Sequence, residues 1–401
     1  MSRHLSGVLS AGLAIATMLI TTPALADHRP GNIVVMGGSW ALTGRFAGAG
    51  VGFVNARKSY VEELNARGGL LGHRVVLKIL DDKSDRRAAI EVYETLITED
   101  AVDIVLGPYS SPITDAVANV MERYRRPFIV PAAASPAIFQ RGRTQVFRAP
   151  KTNSQEYQRG ALHVAKELGV RRIAIIGEVS LFARQVTVGA LEWAKKLGLE
   201  VVLLENYHKE RTDFTALLRS IEASGAEAIF SNGYYFDAVA QTRQLRDLGI
   251  NVKLFSATLA PATPKFVKEL GPAAEFVVGF SVWEPRPALG HPGVKEFIEH
   301  YERRFGEKPN YRAAVSHAEM QIYEAAVKQA GSFDPGKIRD ALASITVQTV
   351  MGPWKVNERG FMSIDGLVIQ IQNGERVIVW PKHLAEAKVL PMPKWEDRGK
   401  K

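Results

Sequence analysis

The chain contains no cysteine. That excludes disulfides, zinc–thiolate centres, cysteine nucleophiles and the lipid-modified N-terminal cysteine of a bacterial lipoprotein. Long apolar runs are almost as scarce. The one present, Val8 to Ile20, follows Arg3 and His4 and precedes Ala24-Leu25-Ala26, which puts small residues at the −3 and −1 positions. It falls short of the roughly 20 residues that span a bilayer. Residues 1–26 therefore read as a secretory signal peptide cleaved before Asp27, and the mature chain is expected to be soluble. About 375 residues remain, enough for two ordinary domains with proper cores.

Basic tracts are missing too. The formal net charge is +9, from 51 Lys and Arg against 42 Asp and Glu, and becomes +8 without Arg3. The cations are scattered through helices beside acids, as from Glu299 to Arg304, with no Lys/Arg run and no basic–aromatic stripe. A nucleic-acid partner is not expected.

No catalytic set is assembled either. Neither G-x-S-x-G nor H-E-x-x-H occurs. Gly331 to Lys337 has Walker A spacing, but Ile338 stands where Ser or Thr must hold magnesium, and a helix precedes it instead of a strand. Gly48-Ala49-Gly50-Val51-Gly52 lies too far beyond its strand for a dinucleotide fingerprint. His317-Ala318-Glu319 has the H-x-E of a zinc deaminase without the cysteines that complete the site. Asp81, Asp82 and Asp85 read as a strand-end turn with a helix cap. No enzyme activity, metal or cofactor is expected.

What is present is a βαβ unit at the start of the mature chain. Ile33 to Met36 is an apolar strand, followed by a loop rich in Gly, Ser and Thr. A helix with Val51, Val54, Val61 and Leu64 on one face is closed by Gly68-Gly69, and a second strand runs from Val75 to Leu80. Helix and strand then alternate almost to the end. Strands are expected at 33–37, 74–81, 102–106, 127–131, 172–177, 200–206, 227–231, 252–257 and 276–280. Gly169, Gly198 and Gly249, each between apolar residues, mark helix stops that lead into strands. Asp213 can cap a helix with Phe214, Leu217, Leu218 and Ile221 on one face. Two late strands, 367–372 and 377–380, flank the hairpin signal Asn373-Gly374.

The alternation breaks near Ala149-Pro150 and again between Trp283 and Pro287. The expected architecture is α/β, two doubly wound parallel-sheet lobes with a ligand cleft between them. Lobe 1 would comprise 27–149 plus 283–347, and lobe 2 would comprise 150–282 plus 348–401. Two strand-to-helix starts, Gly107-Pro108-Tyr109-Ser110-Ser111-Pro112 and Pro131-Ala132-Ala133-Ala134-Ser135-Pro136, each put Ser at an N-cap and Pro at the first helical position. On neighbouring strands they make a candidate cradle for a carboxylate.

The motifs A-L-T-G, E-L-N-A-R-G-G-L-L-G, D-D-K-S-D, G-P-Y-S-S, D-F-T-A-L-L at 213–218, N-G-Y-Y-F-D-A at 232–238 and T-V-M-G-P-W at 349–354 run through nearly the whole mature chain. In that order the chain resembles the solute-binding proteins of branched-chain amino-acid and amide ABC importers. The resemblance implies a type I periplasmic binding fold closing on a small molecule, a location in the periplasm, and a permease and an ATPase as partners. An extracytoplasmic sensor domain would share the fold.

The resemblance also assigns site residues. Ser111 falls on the carboxylate-binding serine, and Ala132 on a backbone contact. Ala134 stands where amino-acid binders have Thr. Phe182 replaces a Tyr, and Tyr234 retains one. Thr258 occupies the position of the acid that pairs with the ligand's ammonium, and no Asp or Glu lies between Asn251 and Lys268. Trp40, Phe46, Tyr109, Phe182 and Tyr234 would line the pocket beside Ser110 and Ser111. The resemblance implies a branched-chain amino acid or a related small carboxylate or amide as ligand. Burying an ammonium without a carboxylate costs several kcal/mol, so the alternative is an aromatic or branched carboxylate, or an amide, without an α-ammonium.

Overall fold

Eight consecutive residues, Ile33–Trp40, form the first strand of the computed structural model, which describes residues 32–285 and 290–398. The expected signal peptide lies outside the described residues. This strand, β1, pairs in parallel with β2 (Arg74–Asp81), β1 Ile33 opposite β2 Arg74. Between them runs α1 (Ala47–Ala66). Three short strands complete a five-stranded parallel sheet of order β2-β1-β3-β4-β5: β3 (Ile104–Leu106), β4 (Phe128–Val130) and β5 (Val146–Arg148). Helices α2 (Arg86–Thr98) and α3 (Ser111–Tyr124) connect them.

The second sheet has seven strands in the order β14-β13-β10-β9-β8-β6-β7. Its parallel part is β6 (Arg172–Glu178), β7 (Glu200–Tyr207), β8 (Ala228–Asn232), β9 (Leu254–Ser256) and β10 (Val278–Ser281). Helices α4 (Arg159–Glu167), α5 (Leu181–Leu197), α6 (Thr215–Ala223), α7 (Tyr235–Asp247) and α8 (Pro264–Leu270) intervene in chain order. The near-continuous apolar runs of these strands follow from helices covering both sheet faces. The helix stops behave as read. Gly169, Gly198 and Gly249 all have positive φ, where a side chain would be strained.

After β10 the chain forms α9 (Val294–Phe305), α10 (Tyr311–Ala330) and α11 (Pro335–Ser344). Helix α10 packs along α1. There the fully buried Arg57 and Glu319 form an ion pair, 3.0 Å from Nη2 to Oε2. The Glu319 of the H-x-E triplet is therefore part of the core. A two-stranded hairpin follows, β11 (Val347–Thr349) with β12 (Gly352–Trp354), which the sequence reading did not anticipate, nor did it anticipate β5. Trp354 Nε1 donates to the Arg148 carbonyl at 2.7 Å, and the Arg148 N–H donates to the Gly360 carbonyl at 2.8 Å. The stretch from Val347 to Phe361 thus rests on the first sheet, beyond the boundary expected at 347/348. The chain then enters the second sheet as β13 (Leu367–Gln372) and β14 (Glu375–Trp380), antiparallel and turned by Asn373 and Gly374, both at positive φ. Among the described residues no helix is long and apolar enough to cross a membrane.

Candidate functional site

The carboxyl ends of the parallel strands of both sheets converge, which is where open α/β sheets hold ligands. From the first sheet come Trp40 at the end of β1 and Tyr109 to Ser111 after β3, with Ala132 to Ser135 after β4. From the second come Glu178 at the end of β6 and Phe182 at the start of α5. Tyr234 follows β8, and Thr258 follows β9. All of the expected site residues gather in this one region. Phe46, Ser110 and Tyr234 line a cavity of about 620 Å³ between the sheets, together with Arg45, Glu178, Ser180 and Arg184. Trp40, Tyr109, Ser111, Ala132, Ala134, Phe182 and Thr258 are buried.

The aromatic residues make a continuous path from one lobe to the other. Ring centroids are 5.8 Å apart for Trp40–Tyr109, 5.3 Å for Tyr109–Phe46, 4.9 Å for Phe46–Tyr234 and 5.3 Å for Tyr234–Phe182. The path continues through Tyr157, 5.5 Å from Phe182, to Phe280, stacked on Tyr157 at 4.0 Å. Tyr157 and Phe280 were not foreseen. Such rings supply large apolar contact at little entropic cost.

The serines are arranged differently from the sequence reading. Ser110, at φ 74°, is the N-cap of α3 and accepts a long hydrogen bond from the Ile113 N–H at 3.4 Å. Ser111 is the first helical residue, so its hydroxyl is released from capping. It accepts from the N–H groups of Ala134 and Ser135, both at 3.3 Å, which leaves its own proton free to donate. The second start is no helix: Pro136–Phe139 is a four-residue 3₁₀ turn, and Ser135 makes no capping bond. The expected pair of helix termini reduces to one, α3, with the Ser111 hydroxyl beside it.

Thr258 sits at φ 38°, and its hydroxyl donates to the Gly233 carbonyl at 3.1 Å. The expected absence of an acid at this position is matched by a side chain already engaged with the backbone. Acids do reach the cleft, however, from positions the sequence reading missed. Glu178 and Asp237, both buried on the second-sheet side, face Arg45 from the loop after β1. Arg45 Nη2 donates to Glu178 and, at 3.0 Å, to both Asp237 oxygens. Its guanidinium also lies 5.5 Å from the Tyr234 ring centroid. Burial holds the Asp237 carboxyl far above the usual range, opposed by Arg45 and reinforced by Glu178. Asp237 further accepts from the Tyr234 N–H at 2.8 Å, which fixes the start of α7.

The aspartates after β2 are engaged in holding the turn and the start of α2. Asp81 accepts from Leu42 and Thr43, Asp82 from the Ser39 hydroxyl, and Asp85 caps α2 through Arg87 and Ala88. No group of three or more metal-ligating side chains occurs among the described residues.

A family model described as periplasmic binding protein matches residues 34–375. The chain belongs to that family. A protein of Pseudomonas aeruginosa called an amino acid binding protein is 27% identical over 364 residues, covering 90% of this chain and 94% of its own. Among solved structures, the branched-chain amino-acid transporter substrate-binding protein LivJ of Streptococcus pneumoniae, in complex with isoleucine, superposes with TM-score 0.80 at 22% identity. It covers 90% of this chain and all of its own. An ABC-transporter solute-binding protein of R. palustris in complex with benzoate reaches 0.77 at 18% identity, covering 86% and 95%. These structural likenesses establish the type I periplasmic binding fold of this chain.

Proposed function

We propose that this protein is the exported substrate-binding component of an ABC importer, delivering a small carboxylate to a membrane permease and its ATPase. Its lobes would be the first sheet with α9 to β12 and the second sheet with β13 and β14, and closure of one over the other captures the ligand. The carrying observation is the interlobe site itself. A Ser111 hydroxyl free to donate stands beside an aromatic path drawn from both lobes.

The ligand class follows from charge. Thr258 offers no carboxylate, and the buried Glu178 and Asp237 are already paired with Arg45. Asp85, Asp115 and Glu210 also line the cavity, but Asp85 caps α2, Asp115 pairs with Arg143 and Glu210 with Lys209. A carboxylate without an α-ammonium, aromatic or branched, fits this arrangement. A branched-chain amino acid is the reading that the relatives favour, several of them being called Leu/Ile/Val-binding proteins, and Glu178 and Asp237 would be available to its ammonium if Arg45 swung out.

Calorimetric titration with benzoate, 4-methylpentanoate and leucine separates the two. The expected result is binding of the first two and none of leucine. Tight leucine binding with no response to either acid contradicts the reading. A thermal-shift screen extends the test, because a ligand at 100 times its Kd stabilises the folded state by about 2.7 kcal/mol.

A further inference from the structure

The segment between β5 and the turn before α4 carries Lys151, which is 1% exposed. Among the described residues no ion-pair partner or hydrogen-bond acceptor meets its ammonium. The ring of Tyr311 lies beside it, 5.6 Å from Nζ to the centroid. Two further buried cations face it. Arg312, at the start of α10, donates to the Tyr311 hydroxyl at 3.1 Å and to the Gly48 carbonyl at 3.3 Å. Arg148 of β5 donates to the carbonyls of Ala134 and Thr152, while its Nε and Nη1 have no partner. Among the described residues none of the three has an ion-pair partner, whereas buried cations ordinarily do.

These groups adjoin the aromatic path. Burial pushes the Tyr109 phenol up to about 12, and the charge of Arg312 acts on it in the opposite sense. Burial likewise raises the Tyr157 phenol, opposed by Arg148, and the Tyr157 hydroxyl has no hydrogen-bond partner. The Ala134 carbonyl held by Arg148 belongs to the residue whose N–H is held by Ser111. Arg148 and Ser111 thus hold the same short segment after β4, and Lys151 follows Arg148 three residues on. Burial, then Arg148 and Arg312, lower the Lys151 pKa to about 7. A buried cation with no counter-charge is costly, and an arriving anion relieves the cost.

We propose that the inner end of the cleft is an anion subsite, in which the Lys151 ammonium, backed by Arg312 and Arg148, pairs with a carboxylate of a ligand bearing net negative charge. This rests on the reading of the cleft as a carboxylate site and adds to it a charge requirement: neutral amides and zwitterions of the same shape are discriminated against by the unpaired cations. It also adds a proton. The groups facing Lys151 are cationic or phenolic, so an anion there raises its pKa and the complex takes up a proton near neutral pH.

The test is calorimetric titration of benzoate and benzamide into the full protein and into Lys151→Met, at pH 7.5 in two buffers of different ionisation enthalpy. The expected result has three parts. Benzoate binds the wild-type protein at least tenfold more tightly than benzamide, its binding takes up a measurable fraction of a proton, and Lys151→Met loses both the preference and the uptake. Lys151→Arg, which keeps the charge, should retain the preference for benzoate but show no uptake. If the wild type binds benzoate and Lys151→Met binds it equally well with the same proton uptake, the Lys151 subsite is wrong while the carboxylate reading stands. If the wild type binds neither compound but binds leucine, both fail.

Discussion

The two ends of the interlobe cleft solve opposite electrostatic problems. At the mouth, Arg45 is 21% exposed and meets the buried Glu178 and Asp237 from the other side of the cleft, so opposite charges face each other across the closing surface. At the inner end, Lys151 and Arg312 are buried, and no carboxylate among the described residues pairs with either. A matched set that bridges two lobes holds a conformation. An unmatched set inside one wall waits for something to match it. The difference separates a latch from a receptor site within a single cleft.

Four substitutions sharpen or break that contrast. The Arg57–Glu319 pair is the internal reference for a buried cation that is fully matched. Arg57→Met should lower unfolding stability by about 3–5 kcal/mol, since it strands Glu319 in the core. A loss under 1 kcal/mol in urea unfolding would mean that burial of charge costs little in this protein, and the contrast would lose its basis. Lys151→Met should act in the opposite direction, stabilising the ligand-free protein at pH 6 by about 2 kcal/mol, because it removes a buried cation with no partner. The pH dependence has a definite sign. The folded-state pKa of Lys151 is depressed to about 7, so the unfolded chain binds more protons between about 7 and the ordinary lysine value. Wild-type stability therefore gains on the variant as pH rises through that interval. A wild-type advantage at pH 6 would show that Lys151 has a partner after all.

Arg45→Ala removes the latch. Glu178 and Asp237 can rehydrate if the lobes part, so the penalty falls on closure rather than on folding, about 1–3 kcal/mol. Small-angle scattering without ligand should show a larger radius of gyration, while the urea midpoint moves little. An unchanged radius would assign the Arg45 contacts to the closed surface without a role in holding it. Ser111→Ala should cost the least, about 1–1.5 kcal/mol of carboxylate affinity, or roughly tenfold in Kd. The benzamide affinity should change less, and equal losses for both compounds would place Ser111 in structure alone.

Much of this fold is legible in the sequence because its signals are local. The Gly stops at 169, 198 and 249, the Asn373-Gly374 turn and the apolar strands each announce themselves within a few residues. Strand β5 and the β11–β12 hairpin did not, since three-residue strands exist through pairing partners rather than through periodicity. The Ser135-Pro136 start shows the converse. Its chemistry suits a helix, yet Gly142 at positive φ follows closely and only a 3₁₀ turn forms. The same division runs through the site. Trp40 ends β1, Tyr109 and Tyr234 follow β3 and β8, and Ser111 opens α3, all at strand ends that a local pattern marks. Arg45 meets its acids 133 and 192 residues away, a distance no local pattern bridges. A lysine in a connecting loop such as Lys151 reads as solvated until its burial is seen.

The most direct measurement is titration of the wild-type protein with benzoate and with leucine at pH 7.5, reading proton uptake in two buffers. A net-anion site predicts that benzoate binds with uptake of a proton fraction and that leucine gives no heat beyond dilution. Leucine binding tightly without proton exchange, with benzoate silent, would contradict it.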